Sequence, residues 1–317
     1  MKKNTQRTCC RLLLLALACM MTSCATMGKA PQARVTEGPE RMFWRIEGVD
    51  RRGKPATVYV QGSFHLGDDR LYPLEKSVME AWTNADRLVA EVSSADYDRL
   101  TDRITELVAQ SYRKAAGRVI TDNLTAAQNA TLSAYIEAEV LQNLALFEPW
   151  IISYSLAAAL YTNSGLTMEK GLDTVLLSAA KEAGRPVEGL DSLQAQIDGI
   201  TYGSYDEQMV MLRDLLDDLT DPSEALADIK ALYEAYLADN RAQVNRLNQD
   251  SMDEDTAEHA FYADYYRLLI NDRNKDWAQD ITGYLREGGT TFIFAGAAHW
   301  VGDNSVFSYL KKMGTIE

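Results

Sequence analysis

TTFIFAGAAHWVGDN, residues Thr290 to Asn304, is the stretch that decides the fold. Thr291, Phe292, Ile293, Phe294 and Ala295 are β-branched, aromatic or apolar, with no charge among them, and they read as a short strand buried on both faces. Gly296 breaks the strand, Ala297 and Ala298 are small, and His299 follows. Asp303 stands where it can cap a following helix whose buried side is Val306, Phe307, Tyr309 and Leu310. Strand, glycine turn, histidine and helix in that order place a polar side chain at the carboxyl end of a strand. Open α/β sheets bind their ligands there.

Near the other end of the chain the same order recurs. In ATVYVQGSFHLGDDRLYPL a strand from Thr57 to Gln61 runs into Gly62, Ser63, Phe64 and His65, then a polar turn at Gly67, Asp68 and Asp69. A G-x-x-H therefore follows a strand twice, and these are two of only three histidines in 317 residues. GVDRRGKPA reads as a hairpin turn between a strand around Phe43 to Val49 and the strand that delivers His65. Pro73 suits the start of a helix with Leu74, Val78, Ala81 and Trp82 inward. In ADRLVAEVSS, Leu88, Val89 and Ala90 form another short strand, with Glu91 at its end.

Asp96 to about Asn271 follows the helical period. Leu100, Ile104, Leu107, Val108 and Tyr112 share one face, as do Leu132, Tyr135, Ile136 and Val140, and later Leu226, Ile229, Leu232, Tyr233 and Tyr236. FEPWIISYSLAAALY, from Phe147, reads as a buried helix. MEKGLDTVLLSAAKEAGRPVEGLDSLQAQ, from Met168, restores α/β alternation, with a helix ended by Gly184, a strand at Pro186 to Glu188, then Leu190 and Asp191. A helix from Asp276 to Glu287 stops at Gly288 and Gly289 and leads into the deciding strand. The fold class is α/β: a mixed central sheet built from N- and C-terminal parts of the chain, with a large, mostly helical insertion.

Composition narrows the function. Lys2, Lys3, Arg7 and Arg11 are the only charges in the first 24 residues, so 28 basic against 46 acidic residues remain, a net −18. That surface is wrong for nucleic acid and for anionic lipid. Residues 1–24 read as a signal: a basic MKKNTQR, a short apolar run, then MTSC. All four cysteines, Cys9, Cys10, Cys19 and Cys24, lie in it. Cys24 resembles the lipidated cysteine of bacterial lipoproteins, which predicts a polar tether over 25–42, a single domain over 43–317, and a cell-envelope protein held to the membrane by lipid alone.

Two histidines in matched strand-and-turn contexts suggest a shared divalent-metal site of Mn, Co, Zn or Fe, completed by a carboxylate from Glu91, Asp68 or Asp69. Such a metal acidifies bound water, and Glu91 is placed as third ligand or general base. His259 sits on a helical surface and stays outside this set. Ser63 adjoins His65, but no G-x-S-x-G elbow accompanies it.

These segments together resemble the TraB/GumN family, which includes the Tiki-type proteases. The blocks that carry the resemblance are YVQGSFHLGDDRLYPL, DRLVAEVSS, GLDTVLLSAAKEAGRPVEGLDSLQAQ, DRNKDWAQDI and FIFAGAAHWVGDNSVFSYLKKMG. They span about Phe43 to Gly314. The resemblance implies metal-dependent hydrolysis of a peptide or protein substrate, with His65, Glu91 and His299 at the presumed metal or catalytic positions. It also implies a substrate-orienting pair, Arg273 and Asn274. Where the family has Leu-Glu-Thr this chain has Leu190, Asp191 and Ser192, a carboxylate one methylene shorter. A rival of another class is a non-catalytic envelope lipoprotein that binds a peptide, haem or metal.

Overall fold

The computed structural model describes residues 31–317. The signal, Cys24 and the first part of the expected tether lie outside the described residues. The tether reading does not hold for its second half, because Arg34–Glu37 forms a strand, β1. It pairs antiparallel with β2 (Phe43–Val49), which pairs antiparallel with β3 (Pro55–Ser63). Between β2 and β3 lies the expected hairpin turn. There the Asp50 carboxylate accepts the backbone N–H groups of Arg52 (2.7 Å) and Lys54 (2.9 Å).

The remaining strands are β4 (Arg87–Val92), β5 (Val187–Asp191) and β6 (Gly289–Gly296). The six-stranded order is β1-β2-β3-β6-β4-β5. The last strand in sequence thus lies between β3 and β4, parallel to both, with Val60 opposite Ile293 and Val89 opposite Ile293 on its other edge. This central position explains why the deciding stretch has no polar alternation. Phe292 and Phe294 fill one face with Phe43, Leu88 and Ala90, while Ile293 and Ala295 fill the other with Ile46, Val58 and Val89. All four of these β6 side chains are fully buried.

Helices cover both faces. One carries α1 (Lys76–Asn84) through Val78, Ala81 and Trp82. The other carries Trp277, Ala278, Ile281 and Leu285 of the helix Arg273–Glu287. Between β4 and β5 come α2 (Ser94–Ala115), α3 (Ala126–Tyr135), α4 (Ala138–Leu144), α5 (Trp150–Asn163) and α6 (Leu172–Glu182). After β5 come α7 (Leu193–Ile200), α8 (Tyr205–Thr220), α9 (Ser223–Leu237), α10 (Arg241–Glu258) and α11 (Tyr262–Tyr266). A π-helical segment, Arg267–Asp272, leads into α12 (Arg273–Glu287), and α13 (Val306–Lys312) closes the chain.

Three local readings change. The expected stripe from Leu132 to Val140 is split, because α3 ends at Tyr135 and Val140 stands half-exposed on α4. Helix α1 begins at Lys76 rather than at Pro73. The cap of α13 is Ser305, whose hydroxyl accepts from the Ser308 N–H, and Asp303 lies outside it. Residues Ala33–Glu317 form one unit. Its two ends are joined by a parallel bridge between Ala33 and Ile316, with Ala33 N–H donating to Thr315 O at 2.8 Å.

Phe292 is fully buried in the strand that joins both halves of the sheet. Phe292→Ala is expected to cost about 3–5 kcal/mol, measured as a lowered midpoint in urea unfolding with the slope unchanged.

Candidate active site

Strands β3, β6, β4 and β5 are parallel, so their carboxyl ends share one edge of the sheet. That edge collects His65, His299, Glu91 and Asp191. His65 comes two residues after β3, and its backbone is tied to the segment before α6. Phe64 O accepts the Leu172 N–H (3.0 Å), and Gly67 and Thr167 exchange backbone bonds of 2.9 and 3.0 Å. Gly171 makes that approach possible, since a Cβ there would stand 2.2 Å from the His65 carbonyl oxygen. The same segment supplies Asp173, whose Oδ2 lies 3.1 Å from His65 Nδ1.

Glu91 is gripped on both oxygens. Its Oε2 accepts from Arg273 Nη2 at 2.6 Å and its Oε1 accepts from the Gly296 N–H at 2.7 Å. Arg273 also donates from Nε to Asp191 Oδ2 at 2.8 Å and from Nη1 to the Leu269 carbonyl at 3.1 Å. That carbonyl belongs to the π-helical segment. Asp191 in turn accepts from Trp277 Nε1 (2.7 Å) and Gln196 Nε2 (2.7 Å). The shorter carboxylate at 191 therefore reaches its partners.

His299 follows β6 on a short 3₁₀ turn and is buried, with the Trp277 ring tilted against it at 4.3 Å between centroids. Asn274 Nδ2 donates to Asn304 O at 2.8 Å, which turns the amide oxygen toward His299 Nδ1 at 2.6 Å. The imidazole therefore carries its proton on Nδ1 and keeps the Nε2 lone pair. Among the described residues Nε2 has no hydrogen-bond partner. His65, His299 and Glu91 converge beside Gly296. A Cβ on that glycine would lie 3.1 Å from Glu91 Oε1, 3.5 Å from His299 Cδ2 and 3.8 Å from His65 Nε2. His65 Nε2 stands 4.0 Å from Glu91 Oε1.

The two G-x-x-H segments meet, but not as equals. The sheet register pairs Ser63 with Gly296 and Gly62 with Ala295, one residue out of step. His65 keeps 61% of its side chain exposed, whereas the whole residue at His299 is 5% exposed. Their charges diverge accordingly. Surrounding protein alone would lower the His65 pKa, but contact with Asp173 and the nearby Glu91 outweigh it and raise it to about 9. Burial pulls His299 down to about 3 despite the Glu91 charge. Burial would raise Glu91, yet Arg273, His65 and His299 lower it to about 2. Burial raises Asp191 against the opposing pull of Arg273 and Trp277.

Other expected residues stay outside. Asp68 caps a turn and pairs with Arg70 and Tyr233, and Asp69 pairs with Lys170 at 2.7 Å, so neither completes the site. His259 ends α10 beside Asp214. Ser63 Oγ is buried without a partner. Asp173 is the residue that pattern reading missed. Its signal was Gly171-Leu172-Asp173, a glycine and an acid at the start of a helix. A cavity of about 570 Å³ opens from His65 and Arg273 between α5, α7, α8 and the segment from Tyr262 to Leu269.

Donor types used for divalent ions are present at this edge, two imidazoles with Nδ1 engaged and one carboxylate oxygen. Glu91 offers Oε1 only, because Arg273 holds Oε2. Among the described residues no group of three or more His, Cys, Asp or Glu side chains is gathered so that it could hold a metal ion.

An α/β sheet with histidines, acids and an arginine along one carboxyl edge is thus in hand, and comparison with known proteins gives it a family. The TraB/PrgY/gumN family matches residues 42–316, and the chain belongs to it. It is 24% identical over 311 residues to an uncharacterized protein of Treponema pallidum (strain Nichols), covering 98% of this chain and 90% of that one. It is also 24% identical over 253 residues to the uncharacterized protein YbaP of Escherichia coli (strain K12), covering 79% and 86%. No solved structure matches.

Asp173→Asn removes the charge in contact with His65, so the imidazole pKa is expected to fall from about 9 toward its ordinary value, followed by imidazole NMR titration. The sign for stability follows from the raised value. His65 stabilises the fold below pH 6.5 and loses that contribution as pH rises through about 9. Arg273→Leu leaves Glu91 and Asp191 facing each other unpaired. It is expected to cost about 3–5 kcal/mol in denaturant unfolding.

Proposed function

We propose that this chain is a lipid-anchored, metal-dependent hydrolase of the cell envelope that acts on peptide bonds. The observation that carries this reading is the shared orientation of the two histidines. Each has Nδ1 held by an acceptor, Asp173 or Asn274, and the two rings meet at the space beside Gly296 and Glu91 Oε1. His65 Nε2, His299 Nε2 and Glu91 Oε1 would hold the ion, of Mn, Co, Zn or Fe type. Bound there, it would polarise a carbonyl and acidify a water.

Charge supports the same reading. Glu91, Asp173 and Asp191 face Arg273 and the His65 imidazolium, which leaves one negative charge in excess. Exchanging the His65 proton for a divalent cation removes that excess. A carboxylate with a pKa of about 2 is a poor proton acceptor, so Glu91 serves as ligand and fixed charge rather than as general base. Arg273 makes three hydrogen bonds, to Asp191, Leu269 O and Glu91, and its Nη2 also stands 2.6 Å from Asp191 Oδ2. A further guanidinium N–H can meet a developing oxyanion or substrate carbonyl. Asn274 acts through His299. A carboxylate oxygen beside both histidines supports a hydrolase over a carrier of peptide, haem or metal.

The anchor rests on Cys24 in its signal-like setting. No helix among the described residues is long and apolar enough to cross a membrane.

Elemental analysis after incubation with Mn, Co or Zn tests the metal. Wild type is expected to retain one equivalent, and His65→Ala and His299→Ala to lose it. Wild type that retains none overturns the reading.

A further inference from the structure

The cavity above His65 and Arg273 has a wall of unusual make-up. Helix α5 is apolar all round, a pattern that belongs to a helix buried on every side. Its Ile152, Leu156 and Leu160 do pack into the core of the helical insertion. Its other face, with Trp150, Tyr154 and Ala157, lines the cavity, and Tyr154 is 53% exposed. Opposite it stand Tyr202 and Tyr265, tilted against each other at 5.0 Å between centroids. Met211, Leu215 and Leu269 add aliphatic surface.

The side-chain amides of this wall and the Ser153 hydroxyl are already engaged. Gln208 accepts from Trp150 N and donates to the Thr201 and Gly203 carbonyls, and Gln196 donates to Asp191. Among the described residues no Asp or Glu lines the cavity, and the two charged side chains there, His65 and Arg273, belong to the site below. A basic side chain entering would lose water and meet no acid in the wall, and an acidic one would find both cations already paired with Asp173, Glu91 and Asp191, a cost that apolar groups avoid. At about 570 Å³ the space exceeds one side chain and lies within the roughly 300–1,000 Å³ usual for ligand sites.

We infer that this cavity is the specificity subsite of the enzyme, built to take a bulky apolar or aromatic side chain of the peptide beside the bond presented to His65, Glu91 and His299. Trp150, Tyr154, Tyr202 and Tyr265 decide the choice. The inference rests on the hydrolase reading for the bond and on the cavity wall alone for the side chain.

Binding without turnover separates the two. Labelled alanine-based hexapeptides with a single central Phe, Leu, Lys or Asp are titrated into the Glu91→Gln protein by fluorescence anisotropy. The Phe and Leu peptides are expected to bind at least roughly tenfold more tightly than the Lys and Asp peptides. Tyr154→Ala, at an exposed position that folding does not need, is expected to remove most of that advantage. Ala195→Asp puts an acid into the wall at the third position of α7, where a helix N-terminus tolerates it, and is expected to favour the Lys peptide. Equal binding of the four peptides, binding of none, or a preference unmoved by either wall variant overturns the inference. A protein that takes no metal yet still selects Phe and Leu sinks the hydrolase reading and leaves the subsite standing.

Discussion

The gap between β3 and β4 is the constraint on which everything else depends. Two strands close in sequence are held one strand-width too far apart to pair, and only β6, from the far end of the chain, fits between them. Because it is covered on both sides by helices it must be apolar throughout, and because it is parallel to both neighbours its end joins theirs. One insertion therefore completes the core and assembles the site. His65, Glu91 and His299 are separated by long stretches of chain, yet each stands within two or three residues of a strand end at that edge.

Arg273 links this edge to the helices. It bonds Glu91 at the end of β4, Asp191 at the end of β5, and the Leu269 carbonyl of the π-helical segment. With one cation shared by two buried acids, the pair of histidines is left in contrasting states. His65 beside Asp173 is held as the imidazolium, while His299 beside an amide and an indole stays neutral. An acid and a base state of the same side chain thus lie on adjacent strands.

Much of this was legible in the residues. The all-apolar run from Thr291 to Ala295 announced a central strand, the glycines after it announced the turns, and the scarcity of histidine made His65 and His299 conspicuous. Glu91 was legible as an acid ending an apolar strand. What was not legible depended on register and on contacts across the chain. The motifs look identical in the sequence, but a one-residue offset in pairing gives them different burial. Asp173 looked like one more acid in a helix until Gly171 brought it against His65. The Arg34–Glu37 strand was hidden in a polar segment because an edge strand with both faces partly exposed needs no apolar alternation. The helical stripes marked much of the cores, with Tyr112 and Val140 standing exposed outside them, but they could not say that α5 turns one apolar face to empty space.

The bridge between Ala33 and Ile316 gives the domain the topology of a nearly closed ring. Strand β1 runs alongside β2 with Arg34 opposite Glu47, and Glu47 lies opposite Thr57, so the two ends meet at the foot of the sheet and the site lies at its head. In a ring no strand is last. That β6 follows all the helices reflects only where the loop is opened, and the same contacts would serve a chain that began elsewhere on the circle.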